Sequence, residues 1–371
     1  MFKRKDRHSI LINLSEHCVQ LARIRQDDSG PLAVDRTTEL PAGDEDAIAG
    51  WIRGAFPEAG NGYLPAYCTF FPPERLIMRE AVNTRRLAEP GYLTGLIMEH
   101  AKVSSAKEWH VNLLNPYDGM PLTPESTQRT GLIVGIPWTA VRAVQQLLKQ
   151  LSVRPRQLEI GTITALGGLS RQIGLASYPD GVAVCEIARN QTRLYLIGKD
   201  GVHTPPALPH GLLSIEEAAM KELGAPDIVT TVRELEKPTE NLVAHGRRLV
   251  RMLSRHLRPA IDYFEMQTGQ RIGALFCGHL PSRLAWLEDS LIKAVDLDPF
   301  PIDLPAWMSK IGLRFEDGVE TPPLSWLPLL SAVGDLAPET PAPATAAVTS
   351  SMGSSSSPGS TPPGSNPPRN G

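Results

Sequence analysis

Long apolar runs are missing from this sequence. No stretch of about 18 consecutive apolar residues occurs in its 371 residues, so we predict no membrane-spanning helix. The first five residues include the basic run Lys3-Arg4-Lys5, as in a signal peptide. The apolar stretch at 10–14 is too short, however, and it is broken by Asn13 and Glu16, with no small-residue cleavage site beyond it. We therefore expect no export signal.

Cysteine is also scarce, and its positions form no recognisable site. Cys18, Cys68, Cys185 and Cys277 are widely separated, so the sequence has no CxxC pair for metal binding or redox chemistry. Each lies in an apolar segment that we predict to be a strand. A nucleophilic cysteine would need a cationic, partly exposed setting, which these segments do not offer. The pattern favours small buried thiols in a reducing cytosol.

An excess of charge of one sign and the common catalytic motifs are absent too. The formal net charge is -3, which gives no electrostatic reason to expect nucleic acid or an anionic membrane as the main partner. The sequence has no P-loop, GxSxG, HExxH or glycine-rich dinucleotide fingerprint. With 42% hydrophobic residues it can bury a sizeable core, and its length allows about two domains and a tail.

The last segment, 337–371, lacks aromatic residues, leucine and isoleucine. Pro, Ser, Ala, Thr and Gly dominate it, and Glu339 and Arg369 are its only charges. Such a segment has too little apolar surface to offset its chain entropy, so we predict disorder. A tether, a partner-binding tail and disorder without a specific role all fit this composition.

What the sequence does contain is an ordered series of short apolar segments. Residues 9–14, 18–25 and 32–39 are predicted as consecutive strands of a meander. A helix follows from about Asp44, and 63–71 is the next strand. A small inserted β-α-β unit is predicted after it, with strands at 76–82 and 108–114 and a helix at 90–101. Beyond the insert we predict a buried strand at 131–136, a helix from Pro137, and a second helical connection at 156–172.

The second half repeats the theme. Strands are predicted at 181–187, at 193–197 and from Val202. Ser214-Ile215-Glu216-Glu217 has a capping-box pattern, which predicts a helix start at Ser214. Further predicted elements are a helix at 238–268, a strand at 272–277 and a helix at 281–295.

Two halves that each open with a meander are typical of an actin-like duplication. Rossmann strands, in contrast, are joined by helices from the outset. We therefore predict an α/β fold with two lobes, the first at 1–180 and the second at 181–336, followed by the tail at 337–371. The inserted subdomain, at about 75–115, belongs to the first lobe.

In this order of elements the chain resembles the PilM-like proteins of type IV pilus assembly and, more distantly, FtsA. The likeness spans roughly residues 8–330. Besides the insert, four segments are similar to that family's first phosphate hairpin, strand-helix return, second phosphate hairpin and adenosine loop, at 10–24, 131–155, 183–197 and 272–291. The resemblance implies an actin-like fold of the ASKHA, ribonuclease H-like type.

The resemblance also places a nucleotide site, whose first turn is altered. Actin-like ATPases hold phosphate with two hairpin turns that present backbone N–H groups, with glycine where the backbone approaches phosphate closely. The family's Asp, Gly and Lys in the first turn fall on Asn13, Ser15 and Gln20. These changes remove a metal-organising charge, a close-approach position and a phosphate-facing cation, and Glu16 adds a charge that repels polyphosphate.

The other two parts of the implied nucleotide site are altered as well. In the second turn the family's Asp and Gly fall on Glu186 and Ala188. In the adenosine loop a glycine pair is reduced to Gly278 after Cys277. These six positions would form a degenerate nucleotide site. We therefore expect a pseudo-ATPase with no catalytic residues, no bound ATP or magnesium and no metal site.

Three other features have both a functional and a structural interpretation. His17 and His279 could share a metal ion in the cleft, but histidines that are exposed or hydrogen-bonded are the default. The arginines at 247–258 could meet an acidic partner or a membrane surface, or could be the solvated face of an amphipathic core helix. Residues 324–330 could be a core segment or a docking strand for a partner.

The function that the resemblance implies is that of a cytoplasmic scaffold. PilM-like proteins sit at the inner membrane and receive the N-terminal tail of PilN in a groove of the first lobe. By that analogy the groove would lie between the main first lobe and 76–114 and would take an extended, partly apolar peptide. The alternatives are an actin-like ATPase or kinase relative with divergent site residues, and a type II secretion platform component. The latter normally continues into a membrane helix, which the tail at 337–371 argues against.

Overall fold

The computed structural model describes residues 8–26, 31–60, 62–101, 108–176 and 178–333. All of them belong to one compact unit, Met1–Pro338. The predicted disordered tail at 337–371 lies outside the described residues. Within the described ranges, no helix combines the length and the apolar character needed to cross a bilayer.

The strands of the described residues are short and are distributed along the whole described chain. They are β1 (His8–Leu14), β2 (Cys18–Gln26), β3 (Leu32–Pro41), β4 (Leu64–Phe70), β5 (Leu76–Ala81), β6 (Trp109–Leu114), β7 (Thr130–Pro137), β8 (Val153–Ile160), β9 (Gly181–Ile187), β10 (Thr192–Gly198), β11 (Gly201–His203), β12 (Ile272–Cys277), β13 (Asp298–Pro299) and β14 (Leu313–Phe315).

The helices connect these strands. They are α1 (Glu45–Ala55), α2 (Tyr92–Ala101), α3 (Trp138–Gln150), α4 (Gly161–Ala176), α5 (Leu212–Leu223), α6 (Ile228–Glu236), α7 (Glu240–Ala244), α8 (Gly246–Leu249), α9 (Arg251–Thr268), α10 (Trp286–Val295), α11 (Leu304–Lys310) and α12 (Leu327–Ser331).

The first sheet has the strand order β14-β3-β2-β1-β4-β8. Strands β1, β2 and β3 pair antiparallel, which confirms the first predicted meander. Helix α1 begins where the sequence places it, because the Asp44 side chain accepts a hydrogen bond from Ala47 N at 3.0 Å. Strand β4 runs parallel to β1, and this register sets Asn13 between Gln20 on β2 and Thr69 on β4.

The second sheet has the order β11-β10-β9-β12-β13. Strands β9, β10 and β11 pair antiparallel, so the second predicted meander is confirmed as well. Strand β12 then pairs parallel with β9. Each sheet therefore begins with a hairpin whose turn lies at the end of a central strand, β1 or β9.

One segment of the second half belongs to the first sheet. Strand β14 pairs parallel with β3, and Leu32 N donates a hydrogen bond to Gly312 O at 2.8 Å. All of 181–336 was predicted to belong to the second lobe, and at β14 this prediction was wrong. The segment has only one alternation of buried and exposed residues, so periodicity alone could not assign it to a sheet.

The inserted unit is larger than the predicted 75–115. Its sheet has the order β5-β7-β6, with both outer strands antiparallel to the central β7. Helix α2 covers this small sheet, and Ile97 of α2, Leu113 of β6 and Ile133 of β7 share one buried cluster. The segment predicted as a separate strand at 131–136 is therefore the centre of the insert.

The prediction of a helix at 156–172 was wrong in its first part. Residues up to Ile160 form β8, parallel to β4 at the edge of the first sheet. Pro155 lies within β8, where an edge position tolerates a residue that has no N–H to donate. Helix α4 begins only at Gly161, where a β-carbon would lie 2.4 Å from the Phe71 ring.

Two predicted helix boundaries in the second half were also wrong. The segment 238–268 is divided into α7, α8 and α9, and Gly246 of α8 lies so close to α10 that a β-carbon there would be 2.1 Å from Ser290 Oγ. Helix α5 begins at Leu212 rather than at Ser214. Its first N–H groups donate to carbonyl oxygens of the β9–β10 turn, so no capping box is needed.

The core extends between the two sheets. Leu11 of β1, Leu169 of α4 and Val184 of β9 belong to one buried cluster, which also contains most of α12. Residues 324–330 are therefore core, as one interpretation of the sequence predicted, and the docking-strand alternative was wrong because this segment is helical and buried. The four cysteines are buried and free, as predicted.

Helix α9 has the amphipathic pattern of a core helix. Leu253, Leu257, Ile261 and Phe264 are buried at helical spacing. The arginines at 247–258 are exposed, Arg247 and Arg248 on α8 and the others on α9, as the core-helix interpretation predicted.

The pH dependence of stability is expected to report on Glu288 of α10. Burial raises the pKa of this carboxyl to about 7, although its Oε1 accepts a hydrogen bond from Cys277 N at 2.8 Å. The raised pKa means that the folded chain favours the protonated form. Stability is therefore lost as pH rises from about 4.5 to 7 and stays level above that. Glu288→Gln should match the wild type near pH 4 and exceed it by up to about 3 kcal/mol at pH 8, measured by urea unfolding.

The matched control is Glu240→Gln, since Glu240 is an exposed glutamate in α7. Above pH 7 the stabilisation by Glu288→Gln should exceed any change caused by Glu240→Gln. A Glu288→Gln difference that stays constant from pH 4 to 9 would contradict the assignment.

Candidate functional site

The candidate site lies where the two hairpin turns meet. The β1–β2 turn contains Glu16 and His17, and the β9–β10 turn begins after Ile187. Arg189 N donates a hydrogen bond to Glu16 Oε1 at 2.6 Å, and His17 Nε2 lies 3.1 Å from Ile187 O. The turns that would flank a nucleotide in an actin-like ATPase therefore touch each other in this chain.

Asn13 and Gln20 are buried and bonded to each other rather than facing a cleft. Asn13 Nδ2 donates to Gln20 Oε1 at 2.9 Å, and Thr69 Oγ1 donates to Asn13 Oδ1 at 2.8 Å. Gln20 Nε2 donates to Glu39 Oε2 at 3.0 Å, and Glu39 in turn accepts hydrogen bonds from the backbone N and the hydroxyl of Ser282. Two positions of the implied nucleotide site thus belong to a polar network that joins the first sheet to the segment after β12.

Ser15 closes its own turn. Its hydroxyl donates to Cys18 O at 2.9 Å and accepts hydrogen bonds from His17 N and Cys18 N. This pattern is a local side-chain turn, in which the hydroxyl replaces a missing backbone partner. Burial raises the pKa of the Cys18 thiol to about 12, so this cysteine is inert at neutral pH.

Glu186 is held by an internal cation that the sequence analysis missed. Arg75 Nη2 lies 2.5 Å from Glu186 Oε2, and the two side chains are only 3% and 2% exposed. Arg75 Nη1 also donates to Pro72 O at 2.9 Å. Burial lowers the pKa of Arg75, but Glu186 and Tyr195 raise it by more than burial lowers it. The pKa is therefore raised overall, and the guanidinium stays charged. The carboxylate of the second turn is therefore neutralised from within.

Ala188 and Gly278 have backbone roles. Ala188 O accepts a hydrogen bond from Leu212 N at 2.9 Å, so a turn carbonyl occupies the N-terminus of α5, which could otherwise bind an anion. Gly278 N donates to Cys185 O at 3.0 Å, and a β-carbon on Gly278 would lie 3.1 Å from the Phe276 ring. Both contacts lie within the half of the site that the second sheet provides.

The structure also brings His17 and His279 together. Their ring centroids are 5.2 Å apart in an edge-on arrangement, and Phe71 packs against His279 with a centroid distance of 4.5 Å. Burial lowers the pKa of His17 against the opposing effect of Glu16. Burial also lowers the pKa of His279 well below its usual value, helped by His17, Arg75 and Arg193. Both imidazoles are therefore neutral at pH 7.

Of the six predicted positions, Asn13 and Gln20 contact each other. The other four lie in or next to the two hairpin turns and the segment after β12: Ser15, Glu186, Ala188 and Gly278. Sequence reasoning missed Arg75 and Glu39, which neutralise or bridge these positions. Arg75 follows a predicted strand end at Pro72-Pro73, and no local pattern distinguishes it from a surface arginine. Its partner is 111 residues away, so only the fold could reveal the pair.

A second concavity lies between the insert and the first sheet. It has a volume of about 760 Å³. Its walls are β6 and the loop after it, including Tyr117 and Met120, on one side, and β8 and α4, including Leu158 and Ile163, on the other. Strands β6 and β8 are both edge strands of their sheets. We name this concavity the insert groove.

Comparison with known proteins places the fold but not a sequence family. No family model matches the chain, and no curated protein matches it either. Among solved structures, the PilM–PilN type IV pilus biogenesis complex matches with a TM-score of 0.64 and 16% identity, covering 88% of this chain and 97% of that one.

Two further solved structures match with lower scores. They are the cytoplasmic domain of EpsL, an inner-membrane component of the Vibrio cholerae type II secretion system (TM-score 0.39, 10% identity, 89% and 94% coverage), and a Bacteroides thetaiotaomicron protein with an actin-like ATPase fold and unknown function (TM-score 0.40, 9% identity, 89% and 99% coverage). The predicted fold class is confirmed: the chain has an actin-like α/β fold with two meander-led sheets and a small inserted subdomain.

Proposed function

We propose that this chain is a cytoplasmic scaffold of a type IV pilus or related secretion platform, and that its cleft does not bind or hydrolyse ATP. The observation that carries the proposal is the buried Arg75–Glu186 pair beneath two hairpin turns in direct contact. The fold likeness to a chain of the PilM–PilN type IV pilus biogenesis complex supports the choice of assembly.

A triphosphate in this cleft would have to undo existing contacts. It would separate Glu16 from Arg189 N and would place negative charge beside the exposed Glu16 carboxylate. Binding to Arg75 would require the guanidinium to leave Glu186, and stranding a buried carboxylate costs about 3–5 kcal/mol. Asn13 and Gln20 offer no charge in return, because their side chains are neutral amides, and they are already bonded to each other.

Magnesium-ATP is therefore expected to leave the melting temperature unchanged. A ligand that binds only the folded state stabilises it by RT ln(1 + [L]/Kd), so millimolar ATP would give a clear shift for any site tighter than about 0.1 mM. The measurement is a thermal melt of the full chain with and without ATP, with magnesium sulfate alone as the control. A magnesium-dependent rise with ATP would instead support the actin-like ATP-binding alternative.

The partner that fits the insert groove is the cytoplasmic N-terminal tail of a PilN-like inner-membrane protein. An extended peptide can pair with an exposed edge strand, and both β6 and β8 lie at sheet edges along the groove. Tyr117 and Met120 supply exposed apolar surface at its rim. Through this tail the chain would be held at the inner face of the membrane.

The direct test is the binding of a labelled synthetic peptide with the tail sequence of a PilN-like protein from the same organism. Fluorescence anisotropy with the full chain should give saturable binding, whereas a scrambled peptide should not bind. Equal signals for the two peptides, with a folded sample, would reject the groove as the tail-binding site.

A further inference from the structure

Two imidazoles and a carboxylate converge where the hairpin turns touch. Glu16 Oε1 lies 3.4 Å from His17 Nε2 and 4.0 Å from His279 Nε2. One ligand atom from each of the three side chains lies within 4.8 Å of the others. Ligand atoms in a tetrahedral zinc site with bonds of 2.0–2.1 Å are about 3.3 Å apart, so side-chain shifts of about 1 Å would bring these three into coordination.

His279 lacks the hydrogen bonds that a buried imidazole normally makes. Its side chain is only 3% exposed, and its Nδ1 has no hydrogen-bond partner among the described residues. Its Nε2 is 4.0 Å from the Glu16 carboxylate, which is beyond hydrogen-bond length. Buried polar atoms are seldom left in this state. With its proton on Nδ1, the ring would offer the lone pair of Nε2 to a metal.

The access route and the nearby charges allow a cation. A metal at His17 Nε2 would replace the 3.1 Å contact of that nitrogen with Ile187 O, and the ring proton would then lie on Nδ1. Glu16 is exposed, which gives an ion a route from solvent. The positive charges of Arg75 and Arg193 oppose a cation near His279, but Arg75 is already paired with Glu186, and Glu16 contributes its own negative charge.

We propose that Glu16, His17 and His279 bind one Zn²⁺ ion. A donor set of two imidazole nitrogens and one carboxylate oxygen suits zinc, whereas Mg²⁺ and Ca²⁺ prefer oxygen ligands alone. Glu16 and His17 come from the first sheet's hairpin turn, and His279 follows β12 of the second sheet. The ion would therefore link the two sheets at this site. This proposal does not depend on the pilus role proposed above.

The test is a calorimetric titration of the full chain with zinc sulfate, after treatment with a chelator and desalting. We expect one saturable site and a rise in melting temperature of about 5 °C at a hundredfold excess over the Kd. Cobalt(II) should bind at the same site with the intense visible bands of tetrahedral coordination. Glu16→Gln should weaken zinc binding by at least about tenfold, since loss of even a group that only orients a metal ligand costs about 10–100-fold.

Glu16→Gln is the principal variant because Gln retains an acceptor for Arg189 N–H and the residue is exposed, so the fold should persist. His279→Gln serves as a second variant, with circular dichroism to verify folding. The matched control is His256→Gln, from a histidine pair whose ring centroids are 4.8 Å apart without this carboxylate. The site is refuted if zinc gives no saturable binding, if both site variants bind zinc like the wild type, or if His256→Gln alone abolishes binding.

Discussion

Arg75→Ala is expected to lower the free energy of unfolding by about 3–5 kcal/mol. The substitution leaves the Glu186 carboxylate buried next to Tyr195 without its cation. A buried charge that loses its hydrogen-bonded partner is far more costly than an exposed one, because water cannot solvate it. Urea unfolding followed by circular dichroism measures this loss directly.

The matched control is Arg86→Ala. Arg86 pairs with Glu89 at 2.9 Å, but these side chains are 51% and 55% exposed, so the expected loss is below about 1 kcal/mol. The double variant Arg75→Met with Glu186→Leu removes both charges and should recover most of the stability lost in Arg75→Ala. If Arg75→Ala costs no more than Arg86→Ala, the Arg75–Glu186 pair does not hold the site together, and the argument that ATP should not bind there fails with it.

Much of the fold could be predicted from the sequence because its strands carry strong local patterns. The first meander consists of apolar runs separated by short polar turns, which predict strands. The helix start at Asp44 is predicted by a capping residue before an amphipathic stretch. Where long-range contacts decide, prediction failed. Strand β8 contains Pro155 and few apolar residues, and it is a strand because β4 offers a parallel edge.

The candidate site was predictable in position but not in chemistry. The sequence located the turns at Ser15 and Ala188, and the structure shows that they face each other. The ion pair beside these turns could not be predicted, because Arg75 reaches Glu186 across 111 residues of chain. Asn13 and Gln20 were predicted only as replacements that remove a charge from each position. The register of β1 and β2 places them opposite each other, where their side chains form a hydrogen bond.

A large loss of peptide affinity is expected when the rim of the insert groove is changed. The double variant Tyr117→Ala with Met120→Ala should weaken binding of the PilN-like tail peptide by about 30-fold or more. These side chains are 49% and 64% exposed at the groove rim, so burying them against a peptide contributes binding energy that alanine cannot. A loss of about 2 kcal/mol, which is typical of residues that dominate an interface, corresponds to that factor.

The chain offers a closely matched control in Tyr263→Ala with Met266→Ala. The control pair has the same residue types at the same spacing, is 62% and 72% exposed on α9, and does not line the groove. Both double variants replace exposed side chains, so both should melt close to the wild type. Only the groove variant should then lose peptide affinity. An equal loss in both would mean that the peptide binds exposed apolar surface without preference, and a loss in the control alone would move the binding site to α9.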